Sequence, residues 1–291
     1  MSERVLVCIL GQTRAHEITW DNFRRNVLEE IGADLAICVG FNAEYDTANP
    51  FHRHARYRWL LPEPDDFGIE LDRASGALGL IPQWRQLLAL GGEFLGPAAG
   101  SRGSGVIGLV FRWFLSACLR FEQVLDRYDR LIVTRSDFLY LAPYPSPCLL
   151  DRDAIWLPDG EDYGGLVDRH MLVSAADIIE TLGILDDLVA HPGDWASDLA
   201  AYPHRNIEAC VHNYFRRHRL LSKVRRFPYF MYSVRGEKDG TRWAAGHFVK
   251  ELGYWIKYPS EVEAALAVKQ VIRSQSDWAG WAKHGLVPQA A

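Results

Sequence analysis

The chain is poor in cysteine and has no cysteine pattern. Its five Cys (Cys8, Cys38, Cys118, Cys148 and Cys210) are odd in number and form no C-x-x-C pair. That excludes a disulfide scaffold and the common zinc spacings. Cys8, Cys38, Cys118 and Cys210 lie inside apolar segments and read as reduced core residues. Long hydrophobic runs are also missing. The longest, residues 106–119, is interrupted by Arg112 and falls short of the about 20 residues that cross a bilayer. Residues 5–10 are too few for a signal-peptide core, and Gly11 follows at once. The expectation is a cytoplasmic protein, free to rest on a membrane surface. Positive charge is not in excess either. A net charge of −5 over 291 residues argues against nucleic acid as a partner. The dinucleotide fingerprint, the nucleophile elbow and H-E-x-x-H are all absent. So are internal repeats, low-complexity segments and any linker between two clear domains.

What is present is ordinary globular composition, 48% hydrophobic and 24% charged. Aromatics reach 12%, with ten Trp. Such side chains either stack on flat ligands or fill the core. Residues 4–10 read as a buried strand. Phe23, Val27, Leu28 and Ile31 follow at helical spacing, and residues 33–39 form a second strand. Strand–helix–strand marks a mostly parallel sheet, hence an α/β fold with flanking helices. Residues 91–108 hold seven Gly and read as a mobile loop. No Lys-Ser/Thr pair follows, so this is no P-loop. Residues 106–125 form a long apolar helix whose Phe111, Trp113, Phe114 and Phe121 read as mostly core. Residues 129–140 read as one strand. Asn206 caps a helix from 206 to 215, and Ser260 with Glu263 forms a capping box for a C-terminal helix. The division expected is a main domain over 1–258 and a helical extension over 259–291.

Chemistry concentrates in a few places. The apolar run of residues 131–133 gives way to Thr134-Arg135-Ser136-Asp137. Ligands of open α/β sheets bind at the carboxyl ends of strands. An acid there can hold a divalent cation, and Arg135 can pair with Asp137 or a phosphate; a purely structural ion pair is the other reading. Residues 159–168 crowd four acids and three Gly into a loop. Most of those acids suit a solvated turn, but Asp168 opens an apolar strand beside Arg169 and His170. Glu208 sits in the first turn of a helix, where a carboxylate suits the helix dipole or a cleft. His247 is a metal ligand or a hydrogen-bonded core residue. Arg216, Arg217, Arg219, Lys223, Arg225 and Arg226 make a basic patch that could face anionic lipid or sit as a solvated helix end. Tyr163, Trp195, Tyr202, Tyr229, Tyr232, Trp243 and Trp255 are the aromatics a sugar or base could meet.

Together these segments resemble the GT-A glycosyltransferases. "RVLVCILGQTRA" is similar to their first strand and nucleotide-contacting loop, and "YDRLIVTRSDFLY" to the strand with their Asp-x-Asp motif. More narrowly, Arg-Ser-Asp resembles the variant in bacterial lipopolysaccharide and capsule synthesis proteins of the WavE type. "GGLVDRHMLVS" looks like the acceptor loop and "NIEACVHNYF" like the helix with a late acid. The departure is Arg135 in place of the first Asp, which leaves Asp137 as the sole motif carboxylate.

The resemblance implies sugar transfer from a UDP- or GDP-linked donor to a glycan or lipid-linked acceptor. It places Gly11, Gln12, Thr13 and Arg14 at the nucleotide, with Arg135 and Asp137. Asp137 and His247 would hold Mn²⁺ or Mg²⁺, and Asp168 or Glu208 would act as base. A metal-independent enzyme, or a non-catalytic nucleotide or glycan binder on the same fold, remains open at this point.

Overall fold

The computed structural model describes residues 3–91, 103–239 and 245–284. Most of the Gly-rich segment and Trp243 lie outside the described residues. The seven-stranded sheet has the order β3-β2-β1-β4-β7-β6-β8. Its strands are β1 (Val5–Gly11), β2 (Asp34–Phe41), β3 (Tyr57–Pro62), β4 (Arg130–Thr134), β6 (Ile155–Pro158), β7 (Met171–Ser174) and β8 (Val224–Phe227). β7 runs antiparallel to both its neighbours, β4 and β6. The other pairs are parallel. This is the mixed, mostly parallel α/β architecture expected from the sequence.

Alternation along the central strands sorts side chains onto two faces. Leu6 and Cys8 of β1, with Leu131 and Val133 of β4, join one core. The helix Ser104–Phe121 covers it through Val106, Leu109, Val110, Leu115 and Leu119. Val7, Ile9 and Ile132 join the core on the opposite face. There Phe23, Val27 and Phe51 pack with Val268 of the helix Pro259–Val271, Trp278 of the helix Gln275–His284, and Ile272 between them. Sheets buried on both faces need near-continuous apolar strands, and β1, β2 and β4 have them.

Residues 129–140 do not form one strand. β4 ends at Thr134, and β5 (Phe138–Tyr140) belongs to a second sheet of order β10-β11-β9-β5. The partners are β9 (Met231–Gly236), β10 (His247–Val249) and β11 (Tyr254–Ile256). Arg135, Ser136 and Asp137 are therefore the passage from one sheet to the other. A buried charge pair suits such a break, because the chain there has left the ladder of the first sheet.

Three smaller expectations also change. Phe121 is 90% exposed at the end of its helix, not core. Trp195, Tyr229 and Tyr232 are buried, so they cannot stack on a ligand. The Ser260–Glu263 capping box does not form. Pro259 opens that helix, and the Ser260 hydroxyl donates to Glu161 at 2.7 Å instead. The Asn206 cap does form, its side chain accepting from Ala209 N at 2.9 Å ahead of the helix Ile207–Arg217.

Candidate functional site

β1 and β4 pair in register, with Ile9 opposite Thr134. Their carboxyl ends thus bring residues 11–14 beside residues 135–137. Gly11 has φ of +106°, a conformation that side chains resist, and it turns the chain out of β1. Ser136 is fully buried, and its hydroxyl lies 3.0 Å from Gln12 O and 3.1 Å from Arg14 O. Thr19 Oγ1 in turn donates to Ser136 O at 2.6 Å. These bonds fix the Gln12–Thr13–Arg14 backbone against the strand junction. Gln12 and Arg14 are exposed, and the Gln12 amide donates to Glu63 at 2.8 Å.

Asp137 is 1% exposed and surrounded by cations. Arg135 Nε donates to its Oδ1 at 2.9 Å and Arg135 Nη2 to its Oδ2 at 2.8 Å. Arg235 Nη1 reaches the same Oδ2 from β9. Burial would raise the carboxyl's pKa. Arg135 and Arg235, with Lys257, outweigh it and hold the group well below the usual carboxylate range. Arg14 stands at the rim and interacts with Arg235, Arg135 and Asp137. Lys257 is buried, and its ammonium lies 4.7 Å from the Tyr258 ring centre. Burial, then Arg135, Arg235 and Arg169, push its pKa down to about 7 against the pull of Asp137.

Arg169 adds a further cation. Its Nη1 lies 2.6 Å from Glu261, and its guanidinium lies 4.9 Å from the Tyr258 ring centre. Glu261 is saturated, because it also accepts from Tyr229, from Ser233 N and from the Ser233 hydroxyl. The Nη2 of Arg169 makes no hydrogen bond, lying 3.7 Å from Glu161. Glu161 sits in the loop ahead of Asp168 at φ of +57°, and Tyr163 at +44°. Non-Gly residues held in that region cost about 1–3 kcal/mol each and gather at ligand sites.

Asp168 and Glu208 lie next to this cluster. Arg112 donates to Asp168 O, and its Nη2 is 3.5 Å from Asp168 Oδ2. Burial and then the Asp168 charge push the Glu208 carboxyl up to about 8, against Arg169 and Arg112. Two neighbouring carboxylates that resist ionising together suit acid–base work. Gly165 permits the arrangement: a Cβ there would run into the backbone carbonyl of Glu208.

The structure thus brings Arg14, Arg135, Asp137, Asp168 and Glu208 into one electrostatic neighbourhood. It does not bring His247. In the β10–β11–β9 register His247 lies opposite Ile256, and Ile256 opposite Val234. Directly paired residues share a face. Arg235, one residue on, therefore projects from the other face, and His247 is exposed on the edge strand. His170, beside Asp168, is a core residue. It bonds Thr134 and Tyr144 at 2.8 and 2.9 Å, and burial lowers its pKa to about 3.

A divalent ion does not fit the cluster. It needs several oxygen ligands, and both Asp137 oxygens are taken by guanidiniums. No group of three or more His, Cys, Asp or Glu able to hold a metal exists among the described residues. Each unit cation about 5 Å from such an ion would repel it by roughly 7 kcal/mol at an effective dielectric near 20.

Four of the six cations of the basic patch at residues 216–226 are paired, Arg216 with Asp198, Arg217 with Asp187, Lys223 with Asp177 and Arg226 with Asp162. Arg219 and Arg225 are exposed. No helix among the described residues is long and apolar enough to cross a membrane.

No protein-family model matches the chain. No curated protein matches it either. Among solved structures it is similar to mouse xyloside xylosyltransferase 1 in its apo form, at 11% identity and a TM-score of 0.39. That alignment covers 78% of this chain and 86% of the mouse one. At such distance no residue role passes between them.

Sequence reasoning missed Arg235, Lys257, Arg169, Arg112 and Glu261 as site residues. Arg235 carried a usable signal, since a charge inside the strand Met231–Gly236 is costly unless matched. Glu261 and Arg112 gave none, because a helical Glu or Arg looks like a solvated one.

Proposed function

We propose that the chain is a glycosyltransferase of the GT-A kind. It moves a sugar from a UDP- or GDP-linked donor to a hydroxyl of a glycan or lipid-linked acceptor. The setting we favour is cytoplasmic, in cell-surface polysaccharide or lipopolysaccharide synthesis, which rests on the Arg-Ser-Asp resemblance. The observation that carries the reading is one juxtaposition. A cation cluster at the carboxyl ends of β1 and β4 adjoins the half-buried Asp168 and the buried Glu208, whose pKa burial and Asp168 raise. Anionic donor and nucleophilic acceptor each find matched chemistry there.

In this reading residues 11–14 approach the nucleotide, and Arg135 with Arg14 contacts its phosphates. The acceptor oxygen bonds to the anomeric carbon of the donor. The bond from that carbon to the phosphate oxygen breaks, and its electron pair leaves with the diphosphate. The acceptor's proton passes to Asp168 or Glu208. Tyr163, 38% exposed, and Tyr258 flank the Arg169 guanidinium and offer faces to a sugar.

The test is turnover of UDP- and GDP-sugars by purified protein, followed by product analysis. Release of UDP or GDP is expected, reduced by at least about 10²-fold in Asp168→Asn combined with Glu208→Gln. Nucleotide binding with no turnover on any donor would refute the enzymatic reading and leave a binding protein.

A further inference from the structure

We propose that the protein holds the donor's diphosphate through its own cations, Arg14, Arg135, Arg169, Arg235 and Lys257, with no divalent ion between protein and phosphate. This rests on the nucleotide-sugar reading of the site and specifies how that site works. The charge balance is the first ground. Asp137 and Glu261 are each saturated by donors, Glu161 stands 3.7 Å from Arg169, and Asp168 is matched by Arg112, which is not one of the five. Among the described residues no carboxylate lies within ion-pairing distance of Lys257, although it is 6% exposed. Positive charge is left over where the strands end.

The second ground is an unspent donor. Arg169 is buried, and its Nη2 has no hydrogen-bond partner, Glu161 standing off at 3.7 Å. A buried N–H that lacks an acceptor at bonding distance is suited to an incoming anion. The third is geometry. Arg135 comes from the passage between the two sheets and Arg235 from β9, and they converge on one Asp137 oxygen. Their planar forks are fixed before any ligand arrives. Preorganised donors of this kind stabilise charge that develops on a leaving group. As the bond to the anomeric carbon breaks, the electron pair left on the diphosphate oxygen meets guanidinium N–H groups. Asp137 is then a positioning residue that aligns two arginines.

Calorimetry with UDP and GDP tests this, in EDTA and again with excess Mn²⁺ or Mg²⁺. The expected result is binding in EDTA, with affinity changed less than about threefold by either metal. Affinity should fall steeply with ionic strength in EDTA, which needs no variant. Arg135→Ala, at a side chain 28% exposed, should weaken binding by on the order of tenfold in both conditions, the scale of one charged hydrogen bond. Arg135→Lys should fall between. Binding that requires Mn²⁺ or Mg²⁺ would overturn the inference and leave the nucleotide-sugar reading standing. Absence of UDP and GDP binding in every condition would overturn that reading itself, and this inference with it.

Discussion

Replacing Asp137 with Asn removes one negative charge and almost no volume. In the wild type the carboxylate accepts from Arg135 twice and from Arg235 once. Arg135 is 28% exposed, so water screens part of its share. Arg235 is 5% exposed and cannot reach water without moving β9. In Asp137→Asn that guanidinium faces an amide, with Lys257 close by. Stranding one member of a buried pair costs about 3–5 kcal/mol. For a chain of this size that lowers the melting temperature by roughly 2–4 °C per kcal/mol. Thermal and urea unfolding at pH 7 measure it. Adding Arg235→Met to Asp137→Asn should recover part of the loss, because the stranded charge goes too. The pH dependence has a definite sign. The folded carboxyl titrates well below its unfolded value of about 3.9. Its stabilisation is complete above that value and drains away as pH falls toward the folded one. The gap between wild type and Asp137→Asn should therefore narrow below about pH 4. A variant that melts within about a degree of wild type at pH 7 would refute the role of Asp137 as counter-ion.

Glu208→Gln tests the carboxylate pair. The folded carboxyl titrates at about 8 and the unfolded one near 4.3. Wild-type stability should therefore fall as pH rises between those values, and Gln should abolish that slope; urea midpoints that move in parallel across the range would contradict it. Lys257→Met should raise the melting temperature at pH 6, with the gain growing as pH falls below about 10.4 and levelling off below about 7, because the folded ammonium titrates at about 7. Arg135, Arg235, Arg169 and Asp137 are the charges facing it. Equal melting at pH 6 would count against its burial as a charged group. Gly165→Ala puts a methyl group into the Glu208 carbonyl and should cost about 1–3 kcal/mol, with loss of turnover. Unchanged unfolding midpoints would show that the loop is not held there.

The strand–helix–strand opening was legible because its pattern is local. Gly11, Gly32 and Gly40 punctuate two apolar runs and one 3.6-residue period. The Arg135–Asp137 pair was legible too, since two residues apart on an extended chain share a side. The division of residues 129–140 between two sheets was not. Phe138, Leu139 and Tyr140 continue the apolar pattern, and only their pairing with Ser233, Tyr232 and Met231 assigns them elsewhere. His247 failed for the same reason. Its face is set by two neighbouring strands, and no local rule fixes it. The pairing of four of the basic-patch cations was not legible, because their counter-ions, Asp162, Asp177, Asp187 and Asp198, are scattered upstream.

The carboxylate that aligns the two arginines and one of those arginines stand 98 residues apart in sequence. Closing that interval requires the seven-stranded sheet and the four-stranded sheet to be already adjacent. Until then Asp137 has only the guanidinium two places before it. The cluster is thus among the last features the chain can complete, since contacts between distant residues wait on loop closure. The same holds for Arg169, whose partner Glu261 arrives with one of the last helices. A polypeptide cut before Pro259 would keep every strand of both sheets, yet it would leave a buried guanidinium without its acid. Truncation there would disturb the site and the core together, since Val268, Ile272 and Trp278 leave with the same segment.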